Sequence, residues 1–292
     1  MLNLLSHHGC VNLQLTSQMD PNQASAVLLS GGGFGDIWKG QLLNGTKVAI
    51  KAWRASLIER CDYKMLKRAT REIYYWSKMR HENVHELMGV ISFKGQSLGM
   101  VSEWMENGNL HEYLRKNPNA DRLELSVQIA SGLAYVHNCN MVHGDIKALN
   151  VLVSPDGVAK LTDFGLSTMS ESSIAFSATT TSQAGSVRWM APELLLEESP
   201  KSKPSDVYAL GMIILETFTG SLPYQECRRD FSVGRLVENG ILPARPTAHF
   251  KNNGRGNQIW SVLVGCWDKQ PSSRPPARQV VERLVSIPTS ND

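Results

Sequence analysis

The stretch Met141-Val142-His143-Gly144-Asp145-Ile146-Lys147-Ala148-Leu149-Asn150-Val151-Leu152-Val153 decides how the rest of the chain is read. It sets an acid (Asp145), a cation two residues on (Lys147) and an amide five residues on (Asn150) in a short loop between two apolar, strand-like runs. That is the layout of a reaction centre held between rigid supports. Acids and amides are also ordinary loop formers, so the meaning of the loop rests on what flanks it.

On the C-terminal side, Val158 to Leu161 reads as a strand that ends in Asp163-Phe164-Gly165, thirteen residues after Asn150 with a hairpin between. A carboxylate followed by an aromatic anchor and a flexible glycine suits a Mg²⁺ ligand on a movable loop. Residues 166 to 186 are rich in Ser and Thr, and they close on Arg188-Trp189-Met190-Ala191-Pro192-Glu193. Lys203-Pro204-Ser205 reads as a helix start, and Asp206-Val207-Tyr208-Ala209-Leu210-Gly211 opens the most apolar helix. Asp206 at this start suits an ordinary N-terminal capping acid. Upstream, Asp121 to Asn138 carries Leu123, Val127, Ala130 and Ala134 on one helical face and leads into the loop.

Nearer the N-terminus the period changes to that of strands. Val27-Leu28-Leu29, Asp36 to Gly40 and Thr46 to Trp53 form a meander around an Asn44-Gly45 turn. Between the first two lies Ser30-Gly31-Gly32-Gly33-Phe34-Gly35, a side-chain-poor backbone able to fold over a polyphosphate and offer it N–H groups. Its strand-turn-strand setting argues against a dinucleotide fingerprint, which opens a helix, and no Gly-x-x-x-x-Gly-Lys-Ser/Thr occurs. Val48-Ala49-Ile50-Lys51 puts a lysine on an apolar strand, where the plain alternative is a side chain in solvent. The next helix, expected over Cys61 to Arg80, has Glu72 in its inward stripe of Met65, Ala69, Trp76 and Met79. A buried lone carboxylate costs several kcal/mol, so Glu72 needs a cation, and Lys51 is the candidate. His81 to Val90 and Ser92 to Met105 complete an expected five-stranded antiparallel sheet, turning at Lys94-Gly95.

Composition excludes several classes. The 292 residues exceed the usual single-domain size of roughly 100 to 150 residues, so one large domain or two packed lobes is expected. Thirty basic against 27 acidic residues leave a net charge of +3 and no basic block of the kind nucleic-acid binders carry. The longest apolar run, near Val207 to Leu215, falls short of the ~20 residues of a membrane span. Five scattered cysteines, an odd number, suit reduced thiols and a cytoplasmic location. His7, His8 and Cys10 lack a second ligand pair and read as a polar tail rather than a metal site.

Taken in order over about residues 27 to 287, these segments resemble the protein kinase family, in particular the tyrosine-kinase-like branch of the Ser/Thr kinases. The branch is indicated by Lys147, by the Gly-Ser-x-Arg-Trp-Met-Ala-Pro-Glu segment and by Cys266-Trp267. The resemblance implies an α+β, bilobal fold: a small antiparallel β-sheet lobe with one main helix over 25–105 and a larger, mostly helical lobe over 106–287. Residues 1–24 would be an extension and 288–292 a tail.

By the same resemblance, Asp145, Lys147, Asn150, Lys51, Glu72 and Asp163 are the catalytic set, with Asn150 and Asp163 holding Mg²⁺. ATP would be held by Leu29, Ser30, Gly31, Gly32, Gly33, Phe34, Gly35, Ile37, Ala49, Lys51, Leu152 and the hinge residues Ser102, Glu103 and Met105. Ser102 would be a small gatekeeper. Asp206 would clamp the catalytic loop, and Arg274 would pair with Glu193. The implied reaction moves the γ-phosphoryl group of ATP to Ser/Thr hydroxyls of protein substrates, with no nucleic-acid partner and no membrane span.

Rival readings are a pseudokinase scaffold or switch, a small-molecule kinase and a dual-specificity or Tyr kinase. The first is disfavoured because Lys51, Asp145, Asn150 and Asp163 are all present, and the second because Arg188 to Glu193 resembles a peptide-docking segment. One departure stands out: Gly144 occupies the position of the family's His-Arg-Asp arginine, which couples the loop to a phosphate on the activation segment. Substantial activity without phosphorylation of Thr179, Thr180, Thr181 and Ser182 is therefore expected, with Arg68 as a remaining cation.

Overall fold

Alternation sets the first sheet: Val48, Ile50 and Ala52 are buried on one face of their strand, while Lys47, Ala49 and Lys51 take the other. A computed structural model of the chain describes residues 13–20, 23, 25–32, 35–53, 73–94, 97–164, 168–169 and 186–288. The chain divides into two compact units, Met1–Glu106 and Asn107–Asp292.

In the first unit β1 (Val27–Gly32), β2 (Gly35–Gln41), β3 (Lys47–Trp53), β4 (Leu87–Phe93) and β5 (Ser97–Glu103) form one antiparallel sheet in the order β1-β2-β3-β5-β4. The five strands match the sequence expectation, but two boundaries do not. Residues 81–86 are not part of a strand. The Val84 N–H donates to the His81 carbonyl, and the Asn83 N–H to His81 Nδ1, so His81-Glu82-Asn83 spends its backbone on a turn. The second expected strand begins at Ser97 rather than Ser92, because β4 runs on to Phe93 and the chain turns at Lys94 (φ 47°). Of the helix expected over Cys61 to Arg80, residues 73–80 are described: 73–78 are helical, and the helix ends before Met79 and Arg80.

The extension ahead of β1 contributes to this unit. Leu13–Gln18 is a 3₁₀ helix, and Leu15, Met19 and Ala26 share a core with Leu42, Val48, Ile50, Ile91, Phe93 and Val101. Gln23 fastens the segment further, donating to the Ser92 carbonyl and accepting from the Lys94 N–H.

The second unit is mostly helical. Among the described residues its α-helices are α1 (Leu110–Lys116), α2 (Arg122–Asn138), α3 (Pro192–Leu195), α4 (Lys203–Thr219), α5 (Asp230–Glu238), α6 (Gly254–Cys266) and α7 (Ala277–Val285). Asp121 caps α2 through the Leu123 and Glu124 N–H groups. Two hairpin-like pairs, β6 (Met141–Val142) with β9 (Thr168–Met169) and β7 (Val151–Val153) with β8 (Ala159–Leu161), frame the opening stretch of sequence.

The core is organised on α4, where every residue from Ser205 to Thr217 is buried. A helix apolar all round belongs in the middle of a packed domain. Gly211 marks its closest approach: a Cβ there would lie 2.5 Å from Trp267 Nε1 and 2.8 Å from Cys266 Cβ. No described helix is long and apolar enough to cross a membrane. Among the described residues Cys139, Cys227 and Cys266 are free thiols.

Candidate active site

The loop between β6 and β7 is fixed from both ends, since each strand pairs with a partner outside it. Within it, a short 3₁₀ turn over Ala148–Asn150 swings Asn150 back toward Asp145. Asn150 Nδ2 donates to both the Asp145 carbonyl and Oδ2, at 2.8 Å each. Lys147 Nζ donates to the same Oδ2 at 2.8 Å, and Ser186 Oγ donates to Oδ1 at 3.0 Å. Lys147 also reaches Ser186 Oγ at 3.0 Å. Both oxygens of Asp145 are thus held by side chains from three places in the sequence. A carboxylate held this way is fixed in orientation.

The loop backbone is anchored from behind by α4. Asp206 Oδ2 accepts the His143 N–H at 2.7 Å, and Oδ1 accepts the Gly144 N–H at 2.8 Å. Nε2 of His137 lies 3.0 Å from Oδ2. Burial pushes the Asp206 carboxyl up, but the His137 hydrogen bond and charge, the His143 ring and the Gly144 N–H outweigh it and hold the group below the usual carboxylate range. Of the two readings of Asp206, the clamp is the one observed. The cap is Ser202, whose hydroxyl accepts the Ser205 N–H in a reciprocal capping box. Gly144 itself sits at φ +78°, a conformation that favours glycine.

Asp163 follows β8 with φ +65°, uncommon for a residue with a side chain and a mark of functional sites. Its neighbour Phe164 is fully buried against the His143 ring, with centroids 5.2 Å apart. His143 Nε2 is 3.1 Å from the Thr162 carbonyl. Burial lowers the pKa of His143. That ring packs between the loop and the Asp163 turn.

The anchor expected between Arg274 and Glu193 is present and bidentate, with Nη1 and Nη2 donating to Oε1 and Oε2 at 2.6 and 2.7 Å. Arg188 Nε donates to Asp230, and its guanidinium donates to the Pro223, Tyr224 and Cys227 carbonyls. Trp189 Nε1 donates to Glu216 at 3.0 Å. Burial pushes the Glu216 carboxyl up to about 7.

In the first unit, Lys51 on β3 is half-buried, opposite Ile37 and Met100, and Ala49 stands opposite Ser102. Ser102 and Met105 are buried and Glu103 is exposed. β1 carries a bulge at Leu29, followed by Ser30, Gly31 and Gly32. In the second unit Leu152 is half-buried on β7, opposite Lys160 and bridged to Asn109. Gly33, Phe34, Arg68, Glu72, Gly165 and the cluster Thr179 to Ser182 lie outside the described residues, and the expected Lys51–Glu72 pair lies there with them. His7, His8 and Cys10 do so too.

Asn150 spends its amide nitrogen on Asp145, so its carbonyl oxygen is the atom with ligand capacity. With the Asp163 carboxylate that makes two hard oxygen donors. Among the described residues no three His, Cys, Asp or Glu side chains form a metal cage. Mg²⁺ is compatible with such sparse provision, because it keeps waters and substrate phosphates as its other ligands. Sequence reasoning did not single out Ser186, Lys201 or Glu216. For Glu216 the signal was available, a carboxylate set in the most apolar helix.

Comparison with known proteins agrees with this geometry. The family described as protein tyrosine and serine/threonine kinase matches residues 25–284. Serine/threonine-protein kinase STY46 of Arabidopsis thaliana is 30% identical over 263 residues, covering 89% of this chain and 43% of the relative. The probable serine/threonine-protein kinase SIS8 of the same plant is 35% identical over 88% of this chain and 24% of its own length. The megakaryocyte-associated tyrosine-protein kinase of Mus musculus is 32% identical over 87% of this chain and 46% of the relative. This chain therefore spans less than half the length of these relatives. The match over nearly the whole chain carries the assignment: it belongs to the protein tyrosine and serine/threonine kinase family.

Proposed function

We propose that the chain transfers the γ-phosphoryl group of ATP to serine and threonine hydroxyls of protein substrates, as the catalytic part of a cytoplasmic signalling protein. We place its kinase domain at residues 25–287, with the small lobe over 25–105 and the large lobe over 106–287. The observation that carries this reading is the Asp145 carboxylate, whose two oxygens are oriented by Lys147, Asn150 and Ser186.

In this reading Asp145 takes the proton of the acceptor hydroxyl. The hydroxyl oxygen attacks the γ-phosphorus in line, and the bond to the β–γ bridging oxygen breaks as ADP leaves. Lys147, beside Asp145 and Ser186, offers its charge to the group in flight. A Mg²⁺ ion, when bound, neutralises charge on the phosphate oxygens, and Asn150 Oδ1 with the Asp163 carboxylate are the protein atoms that would hold it. The β1–β2 backbone from Ser30 to Gly35 would cover the phosphates, with Leu29, Ile37, Ala49 and Leu152 lining the base. Lys51, paired with Glu72, would hold the phosphates, while Ser102, Glu103 and Met105 would form the hinge.

Lys147 favours the Ser/Thr reading, whereas one relative named as a tyrosine-protein kinase keeps tyrosine as the second. Incubation with γ-labelled ATP and a mixed protein substrate, followed by phosphoamino-acid analysis, tests both. Phosphoserine and phosphothreonine support the proposal, phosphotyrosine alone overturns its specificity, and no transfer at all overturns the activity.

A further inference from the structure

A helix N-terminus carries partial positive charge, so lysines placed there sit at the unfavourable end of the dipole. The start of α4 nonetheless has Lys201 and Lys203 on either side of its cap, Ser202. Each is matched to an acceptor near the opening loop. Lys203 Nζ donates to Asn140 Oδ1 at 3.1 Å on the exposed side. Lys201 is half-buried, and its Nζ donates to the Gly144 carbonyl at 2.5 Å.

The second contact stands at the residue where this chain departs from its family. Gly144 has no side chain, and both of its backbone groups are taken by the first turn of α4 and the residues before it: the N–H by Asp206 and the carbonyl by Lys201. The next N–H, that of Asp145, is 3.3 Å from His143 Nδ1. The two peptides that flank Gly144 are therefore each held by a charged side chain, the one before it by Asp206 in the first turn of α4 and the one that leads into Asp145 by Lys201, two residues ahead of that helix. A charge-assisted bond from a half-buried lysine to a carbonyl is stronger than a neutral one.

We propose that Lys201 is a positioning residue for phosphoryl transfer: by clamping the Gly144 carbonyl it sets the orientation of Asp145 from within the chain. This inference rests on the activity proposed above. It deepens that reading by giving the loop a built-in cation, so that its order does not depend on a side chain at position 144. In this role Lys201 acts through the Gly144–Asp145 peptide.

The test compares Lys201→Met, Lys201→Arg and Lys203→Met in the full chain. Steady-state kinetics with ATP and amide hydrogen exchange over residues 143–147 are the two readouts. Lys201→Met is expected to lower kcat about tenfold with KM for ATP within about twofold, and to speed exchange of the loop amides. Lys201→Arg is expected to restore most of kcat, and Lys203→Met to match the parent. Parental kcat and exchange in Lys201→Met would overturn the proposal, as would an equal loss in Lys203→Met. Faster exchange in Lys201→Met of a parent that transfers no phosphate would uphold the clamp and overturn the proposed activity instead.

Discussion

The opening loop and the β1–β2 strand pair are proposed to serve the same nucleotide, yet they are built on opposite principles. In the loop, polar groups are tied to side chains: Asp145 to three partners, the His143 and Gly144 amides to Asp206, the Gly144 carbonyl to Lys201. In β1, an edge strand, Val27, Leu28 and Leu29 are each at least half exposed, and glycines follow. The difference reflects what each region has to supply. Proton transfer needs a fixed carboxylate, whereas a polyphosphate can be held by backbone N–H groups wherever side chains are absent. Substitutions should accordingly be costly behind the loop and cheap on β1.

The largest expected effect is that of Asp206→Ala. It removes a buried carboxylate and strands the His143 and Gly144 amides and His137, at a cost of about 3–5 kcal/mol. Denaturant unfolding measures it, and a loss under about 1 kcal/mol would show that the loop holds itself.

Glu216 gives the next effect, and it depends on pH. Its folded-state value is about 7 against an ordinary 4.5, so the stability tied to its protonated form is full below about pH 4.5 and is lost as pH rises through 7. At about 1.36 kcal/mol per unit the loss is at most ~3 kcal/mol. Glu216→Gln keeps an acceptor for Trp189 without that titration. It is expected to unfold at higher temperature than the parent at pH 8 and at a similar temperature at pH 5. The same Tm difference at both pH values would remove titration of Glu216 as the cause.

The smallest effect belongs to Leu28→Ser on β1, expected within about 0.5 kcal/mol of the parent. A cost above ~2 kcal/mol would erase the contrast between the two regions.

Much of this was legible in the sequence because spacing carries it. Asp145, Lys147 and Asn150 lie within one turn-sized loop, so their meeting follows from local geometry. The clamp at Asp206 and the Arg274–Glu193 pair were legible only through the order of motifs, since each joins residues more than sixty positions apart. Ser186 and Lys201 were not read, because a hydroxyl in a loop and a lysine before a helix have no distinctive local pattern; their roles come from where α4 and the turn before Arg188 are carried by the fold. Glu216 is a different case. The argument applied to Glu72, that a carboxylate in an apolar stripe needs an explanation, applies equally to Glu216, which accepts from the Trp189 indole and has His111 Nδ1 3.7 Å away rather than a lysine or arginine. The strand expected from His81 begins at Leu87 instead, because the turn chemistry of His81-Glu82-Asn83 takes the backbone ahead of it.

The central claim, that Asp145 works on the proton while Asp163 and Asn150 serve the metal, is tested most directly by measuring Mg-ATP binding and single-turnover phosphoryl transfer side by side in Asp145→Asn and Asp163→Asn. Asp145→Asn is expected to bind Mg-ATP about as well as the parent and to transfer at least about a hundredfold more slowly, whereas Asp163→Asn is expected to lose Mg-dependent binding as well. Equal loss of nucleotide binding in both variants, or full transfer by Asp145→Asn, would contradict it.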